Sequence, residues 1–146
     1  MEAELKEKGF SVHTDKTKFD YEVIHGFLKH SYWAKDVPIE IIKKSIDNSL
    51  CFGVFHKEKQ IGFARIVTDY TTFAYVADVF ILEAFRKMGL SKLLMKTILE
   101  YPELKKLRRW MLATKDAHGL YSQFGFRPLK NPERFMEIHD PEFFKR

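Results

Sequence analysis

Apolar and polar positions repeat with two different periods along the chain, and the period predicts the type of each element. Apolar residues recur every three to four positions in residues 20–30, 38–48 and 90–101, which is the spacing of a helix with one buried face. The first two ranges begin with Asp and Pro, residue types that favour helix starts. A fourth, brief helix is expected in residues 116–124, where Gly125 ends it.

Short apolar or alternating runs bounded by turn residues predict the strands. Residues 50–55 and 61–68 form a hairpin around a charged turn, and residues 73–82 are apolar on both faces, as expected of a central strand. Because a helix lies between that strand and residues 110–113, the two strands should be parallel and joined by a right-handed crossover. Three further strands are predicted in residues 9–13, 126–129 and 134–138.

The composition indicates a single soluble domain that spans residues 1–146. Hydrophobic residues make up 45% of the chain, enough for a core, and no apolar run approaches the roughly 18 residues of a membrane span. The first ten residues lack the features of a secretory signal, so a cytoplasmic location is expected. Residues 1–8 are highly charged and are expected to be frayed. The single Cys51 is expected to be a core residue without chemistry.

The formal charge of +5 favours an anionic ligand. Basic residues are scattered among acidic ones, and neither a zinc-finger spacing nor an aromatic-basic signature for single strands is present. A small phosphorylated ligand therefore fits the charge as well as nucleic acid does. We predict no nucleic-acid partner, no membrane partner and no metal site.

The strongest local signal is the turn of residues 86–91, which joins the central strand to the helix of residues 90–101. The first backbone N–H groups of a helix have no partner within the helix, and the helix dipole places partial positive charge there. The order of a strand, a turn and the first residues of a helix thus predicts a binding site for an anion such as diphosphate. The turn is neither a P-loop nor a dinucleotide fingerprint, because both glycine patterns are absent.

Two motifs together resemble the GNAT superfamily of acetyl-CoA-dependent N-acetyltransferases. The first is Arg or Gln, two residues, Gly, one residue, then Gly or Ala, and the turn matches it with Arg86, Gly89 and the small departure Ser91. The second is an Ala followed four residues later by Tyr and then by Gly-Phe, which matches Ala117, Tyr121, Gly125 and Phe126. The resemblance covers residues 50–129.

The resemblance implies an α/β (α+β) fold, with a mixed, mostly antiparallel twisted sheet of six to seven strands, helices on both faces and a central βαβ crossover. It also implies direct transfer of an acetyl group from acetyl-CoA to a primary amine, and dimers are common among such proteins. The pyrophosphate of CoA would contact the backbone of Arg86, Lys87, Met88, Gly89, Leu90 and Ser91.

The same resemblance implies a place for the rest of the cofactor and for the proton donor. The pantetheine arm would lie between Phe80 and Ile81 on one strand and Thr114 on the other, although many relatives carry Asn where Thr114 stands. Tyr121 stands at the position of a frequent general acid, which protonates the departing thiolate, and it could equally be a core aromatic.

Three residues keep two interpretations each. Asp78 is the one ionisable residue of the central strand, so it is either an ion-pair partner of a residue such as Arg65 or a site residue that accepts a proton or anchors a cationic substrate. Tyr32 and Trp33 either line the acceptor pocket or cover the edge of the core. The acceptor is expected to be a small-molecule or peptide amine, and its identity is not predicted. The alternative functions are a CoA-binding regulatory module without transfer and, less favoured, a nucleic-acid-binding protein.

Overall fold

The chain folds into one five-stranded sheet with helices packed on it, and the computed structural model describes residues 1–145. The sheet order follows the sequence, with antiparallel neighbours from β1 to β4 and a parallel pair of β4 and β5. The strands are β1 (Phe10–His13), β2 (Leu50–His56), β3 (Lys59–Thr68), β4 (Phe73–Ile81) and β5 (Arg109–Leu112). The helices are α1 (Glu2–Glu7), α2 (Tyr21–Leu28), α3 (Ile39–Asp47), α4 (Leu90–Leu99) and α5 (His118–Ser122).

Both faces of the sheet are covered, as predicted. One core cluster joins α1, α4 and α5 to the strands, and a second joins α2 and α3 to the other face. β2 shows why the central strands have continuous apolar sequences, because Phe52 and Val54 belong to the first cluster whereas Cys51 and Phe55 belong to the second. Burial raises the pKa of the Cys51 thiol to about 12, in agreement with a core role.

The predicted helices are confirmed, and so is a helix between two parallel strands; the right-handed sense of the crossover stays a prediction. The side chain of Asp20 caps α2 by accepting hydrogen bonds from the N–H groups of Glu22 and Val23, and α3 begins directly after Pro38. Gly125 adopts a left-handed conformation (φ 94°) after α5, and the N–H of Phe126 donates to the carbonyl of Tyr121. α4 joins the parallel strands β4 and β5.

The prediction of six to seven strands is wrong, because residues 126–129 and 134–138 form no strand. Pro128 and Pro132 cannot donate ladder hydrogen bonds, and Pro132–Arg134 is a turn of 3₁₀ helix. The expectation of a frayed start is also wrong. Leu5 of α1 is buried in the first cluster, and Glu2 forms a salt bridge of 2.9 Å with Lys96 of α4.

β4 and β5 pair for only four residues and then separate. The last paired residues are Val76 and Leu112, so β4 continues to Ile81 without a strand partner on that side. Just past this point the register between β3 and β4 shifts, since Arg65 lies opposite Ala77 but Phe63 lies opposite Phe80. Asp78 sits in this bulge with φ 53°. The separation and the bulge position the candidate site.

Within residues 1–145, no helix combines the length and the apolar character needed to cross a membrane. The cytoplasmic location stays a prediction.

We expect Gly62→Ala to lower the free energy of unfolding by about 1–3 kcal/mol, the usual cost of overpacking. A Cβ at Gly62 would lie 2.9 Å from the backbone oxygen of Phe80 and 2.7 Å from Cδ1 of Ile81, and the backbone of β4 cannot simply rotate away. Urea unfolding measures the change. Gly119→Ala is the matched control, because nothing lies within 4 Å of its added Cβ. Equal unfolding midpoints for the two variants would contradict the close approach of β3 and β4.

Candidate active site

A cavity of about 680 Å³ opens where β4 and β5 separate. Its walls come from β4, from the segment that follows β5, and from α2, α3 and the loop between them. Residues 75–79 of β4 contribute the sheet side of the cavity, and the helices and loops contribute the remaining walls. The lining mixes apolar residues with polar ones, and the charged side chains in it are Arg65, Asp78, Lys115 and Asp116.

Asp78 is held at the floor of this cavity by two neighbours. Its Oδ2 accepts a hydrogen bond of 2.8 Å from Nε of Arg65, and its Oδ1 accepts one of 2.9 Å from Nε1 of Trp33. Arg65 also donates from Nη1 to Oγ of Ser49. The side chains of Arg65 and Asp78 are only 21% and 14% exposed, so the carboxylate is compensated where it is poorly solvated. The predicted ion pair is confirmed, and the functional role of Asp78 stays a prediction.

Tyr32 and Trp33 line the cavity and connect its two walls. Trp33 reaches β4 through Asp78, and the hydroxyl of Tyr32 accepts a hydrogen bond of 3.1 Å from the backbone N–H of Lys115, beyond β5. Nζ of Lys115 lies 5.4 Å from the centroid of the Tyr32 ring, within reach of a cation–π interaction. The two rings meet edge to face at 5.0 Å. The loop between α2 and α3 is therefore bound to both strands that separate.

Tyr121 lies on α5 and is only 8% exposed, and its ring packs edge to face on Phe126. Among residues 1–145, its hydroxyl has no hydrogen-bond partner, yet no fully buried side-chain oxygen is left without one. The hydroxyl must therefore reach the cavity that Tyr121 lines. Burial, with a smaller contribution from Tyr32, raises the pKa of Tyr121 above its usual value, so the phenol is protonated at neutral pH.

The three residues predicted to flank the pantetheine arm do not line one common cavity. Thr114 lines the cavity, and its Oγ1 accepts a hydrogen bond from the N–H of Ala117, which fixes the turn before α5. Ile81 lines a second, smaller cavity at the end of β4. The Phe80 side chain lines neither cavity, because it stacks on Phe27 at 4.2 Å inside the second core cluster. Only its backbone can contribute to the unpaired edge of β4.

The turn predicted to bind an anion has the required geometry. Gly89 caps α4 in a left-handed conformation (φ 88°), and Lys87 is also left-handed (φ 65°). Among the residues that the structure describes, no backbone N–H of residues 87–92 donates a hydrogen bond. The side chain of Arg86 donates a hydrogen bond from Nε to the backbone carbonyl of Ile81, and this bond connects the turn to the end of β4.

The turn surrounds a cavity of about 190 Å³. Arg86, Lys87, Gly89, Leu90 and Ser91 line it, together with Lys92, whereas Met88 does not. A row of free N–H groups with two flanking ammonium groups can bind a diphosphate. Because the side chain of Ser91 is small, a phosphate can come close to the backbone N–H groups of the turn.

Sequence reasoning missed some residues that line the larger cavity. Phe144, near the end of the chain, packs against the second core cluster and closes one side, and no motif in the sequence marks it. Lys115 and Asp116 lie beside Thr114 on the turn after β5. Their position depends on where β5 ends. Because β5 has only four residues, its sequence pattern does not define that end.

Comparison with known proteins agrees with the fold and the motifs. A model of the Acetyltransferase (GNAT) family matches residues 13–126, most of the chain. The chain therefore belongs to the GNAT family of acetyltransferases, whose co-substrate is acetyl-CoA. A candidate acetyltransferase of Gibberella zeae is 27% identical, in a match that covers 78% of this chain and 76% of that protein.

Solved structures show the same fold. The crystal structure of a candidate GNAT acetyltransferase from Xanthomonas campestris pv. campestris is 44% identical with a TM-score of 0.91, covering 94% of this chain and 97% of that one. A GNAT family acetyltransferase from Elizabethkingia anophelis, solved with acetyl-CoA bound, is 17% identical with a TM-score of 0.59 and covers 91% of this chain and 90% of that one. At this identity, the second comparison shows the fold alone.

We expect Gly89→Ala to weaken acetyl-CoA binding about tenfold. Holding a non-glycine residue in the left-handed region costs roughly 1–2 kcal/mol of conformational free energy. If the backbone relaxes to relieve this strain, the N–H groups of the turn no longer point toward the phosphate. Calorimetric titration measures the dissociation constant. Gly26→Ala in α2 is the control, because its added Cβ has nothing within 4 Å. An unchanged dissociation constant for Gly89→Ala would exclude the turn as the phosphate site.

Proposed function

We propose that the protein transfers the acetyl group of acetyl-CoA to a primary amine by direct transfer in a ternary complex. The observation that carries this proposal is the alignment of three features along β4. These are the free N–H groups of the turn after β4, the unpaired edge of β4 past Val76, and the free hydroxyl of Tyr121 at the cavity. Together they match the parts of acetyl-CoA in order: diphosphate, amide-containing arm and thioester.

Direct transfer is favoured because the cavity offers no activated nucleophile to carry the acetyl group. Cys51 lies in the second core cluster and lines neither cavity. Ser45 lines the larger cavity, but its hydroxyl donates to the carbonyl of Ile42, and no histidine is among the residues that line the cavity. A serine without an adjacent base is a weak nucleophile. The amine of the acceptor therefore attacks the thioester itself.

The reaction needs a neutral amine, a stabilised oxyanion and a proton for the thiolate. An ammonium ion has no free lone pair, so the amine must lose a proton before attack. Backbone N–H groups on the unpaired edge of β4 can stabilise the oxyanion, as preorganised donors do in other acyl transfers. Attack of the neutral amine forms the C–N bond and converts the carbonyl oxygen into the oxyanion. When the oxyanion collapses, the C–S bond breaks and Tyr121 donates its phenolic proton to the sulfur, so CoA leaves as a thiol. The proton that the nitrogen sheds restores the phenol of Tyr121, directly or through solvent.

Asp78 acts in this proposal as a positioning residue rather than as the base. Its two carboxylate oxygens already accept hydrogen bonds from Arg65 and Trp33, and the charge of Arg65 compensates its own. The bonds hold Trp33 against β4, where the indole forms one wall for the acceptor. The lining nearby is mostly apolar, with Val37, Ile41 and Phe144 among its members, so the acceptor carries apolar groups close to its amine.

Calorimetric titration with acetyl-CoA, followed by a panel of amines with free-thiol release as the readout, tests the function. We expect binding and amine-dependent release. Binding without release across a broad panel would favour a CoA-binding regulatory module. No binding at high micromolar acetyl-CoA would overturn the proposal.

We expect Tyr121→Phe to lower kcat by about 10²-fold, the contribution typical of a single proton donor, and to leave the KM for acetyl-CoA nearly unchanged. The reduction is partial, because a phenol is ordinarily a weaker acid than a thiol and burial raises the pKa of Tyr121 further, so the proton transfer to the thiolate is uphill. Steady-state kinetics measure the effect, with Tyr75→Phe in the same cavity as the control. An unchanged kcat would remove Tyr121 from the mechanism.

The rate should rise with pH until the acceptor amine is neutral. Burial raises the pKa of Tyr121, so the proton donor is lost only at a pH above that at which an ordinary tyrosine titrates. A pH profile of kcat measures both limbs. A fall in rate below the usual pKa of a tyrosine, absent in Tyr121→Phe, would contradict the pKa direction.

We expect Asp78→Asn to raise the KM for the acceptor with a much smaller change in kcat, because the amide offers a single acceptor oxygen to the two donors Arg65 and Trp33 and so holds Trp33 less firmly. Trp33→Phe breaks the same hydrogen bond and should give a similar change in KM. The variant that combines Asp78→Asn and Trp33→Phe should then show little further rise in the KM, because the effects of two interacting residues are not additive. A loss of kcat by about 10²-fold or more in Asp78→Asn alone would instead identify Asp78 as a general base.

A further inference from the structure

Arg65 has hydrogen-bonding capacity that the protein itself does not use. Its Nε donates to Asp78 and its Nη1 donates to Ser49. Within residues 1–145 it makes no other hydrogen bond, so three of the five N–H donors of the guanidinium remain, two of them on Nη2. No fully buried side-chain nitrogen in this part of the chain lacks a partner. Because Arg65 lines the larger cavity, Nη2 is open to that cavity.

The other charged side chains of the cavity leave these donors free. Asp78 accepts one hydrogen bond from Arg65 and one from Trp33. Lys115 and Asp116 are exposed on the turn after β5, where solvent screens their charges. The side chain of Arg65 is only 21% exposed. On the sheet side of the cavity, Arg65 is therefore the charged group that can still bind a ligand.

Arg65 lies one strand away from the place proposed for the thioester. In the sheet it is opposite Ala77 of β4, and the open edge of β4 is the proposed site of acetyl transfer. Neighbouring strands are about 4.8 Å apart, so a group on Nη2 and an amine at that edge would be separated by roughly 5–10 Å. A carboxylate bound to Nη2 and an amine a few bonds away in the same small molecule span this distance.

We propose that the acceptor is an amino acid whose carboxylate binds Arg65 and whose apolar part contacts Val37, Ile41 and Phe144. The inference rests on the proposed function and names the substrate class of the same site. A carboxylate accepts charge-assisted hydrogen bonds from the planar guanidinium, which are stronger than those of a neutral group. The three apolar residues line the same cavity as Arg65.

The pairing of Arg65 with Asp78 disfavours two other classes of acceptor. A polyamine would bring a second cation next to the guanidinium, and both oxygens of Asp78 already accept hydrogen bonds. A phosphorylated amine would bring two negative charges to a guanidinium whose charge Asp78 already compensates. A single negative charge on a planar group fits the free N–H groups better than either.

Matched acceptors that differ only at the carboxylate test the inference without any variant. The pairs are phenylalanine with phenylalaninamide, and 6-aminohexanoate with 6-aminohexanamide, compared per neutral amine. We expect the acid of at least one pair to exceed its amide in kcat/KM by about tenfold or more. Amides equal to or better than the acids in both pairs would overturn the inference and leave the proposed function standing. So would acetylation of other amines but of neither acid. Acetylation of no amine at all would overturn the proposed function itself.

Arg65→Lys tests which residue reads the carboxylate, because it keeps a charge beside Asp78 but loses the planar fork. We expect the KM for the preferred acid to rise about tenfold and the KM for its amide to stay nearly unchanged. An equal rise for both would show that Arg65 acts only through Asp78 and Trp33, and would overturn the inference.

Arg127→Lys is the matched control, since Arg127 is exposed and lines neither cavity. It should change neither KM. Normal thermal unfolding and an unchanged dissociation constant for acetyl-CoA would show that Arg65→Lys is folded. If Arg65→Lys does not fold, the comparison of acids with amides on the wild-type protein still decides the inference.

Discussion

β4 and β5 share backbone hydrogen bonds over only four residue pairs before they separate, and the candidate site depends on this separation. Past Val76 and Leu112, the backbone groups that face the gap have no strand partner. Peptide groups that lose water without gaining a partner are costly, so such a gap favours a ligand that carries amides of its own. The arm of CoA is such a ligand. In the proposed function, this incomplete hydrogen-bond ladder is the binding site for the arm.

The bulge at Asp78 connects this gap to the rest of the molecule. A non-glycine residue with φ 53° costs on the order of 1–3 kcal/mol, and the conformation persists only where neighbours fix it. Two hydrogen bonds to the carboxylate, one of them from a guanidinium, can each contribute about 1.5–3 kcal/mol and so outweigh the strain. The same bonds attach the loop between α2 and α3. The backbone shape of β4 and the cavity wall that contains Trp33 are therefore stabilised together.

The sequence predicts those parts of the molecule that depend on local pattern. Periodicity gives the main helices, and the buried run of residues 73–82 gives the central strand. The turn of residues 86–91, which is proposed to bind phosphate, follows from its place between that strand and α4. The ion pair of Arg65 and Asp78 is also predictable, because a lone carboxylate in an apolar strand requires a partner. Each of these inferences uses residues close in sequence or a single physical requirement.

The remaining features depend on contacts that the sequence does not encode locally. Residues 134–138 have the alternation of a strand, but pairing requires a neighbour in the right place, and a short chain segment cannot specify one. α1 is held by Leu5 and by a salt bridge to Lys96, a residue far along the chain. Phe144 lines the cavity only because the end of the chain returns to it. Tertiary position, rather than propensity, determines all three.

Burial of Cys51 has a practical consequence for chemistry performed on this protein. The thiolate is the reactive form of cysteine, and a fully buried thiol with a pKa of about 12 is almost entirely protonated at neutral pH. The folded chain therefore behaves as if it contained no cysteine. A thiol-reactive dye added to a mixture of this protein, an amine and acetyl-CoA reports liberated CoA alone, and a cysteine introduced on the surface would be the single site for attaching a probe.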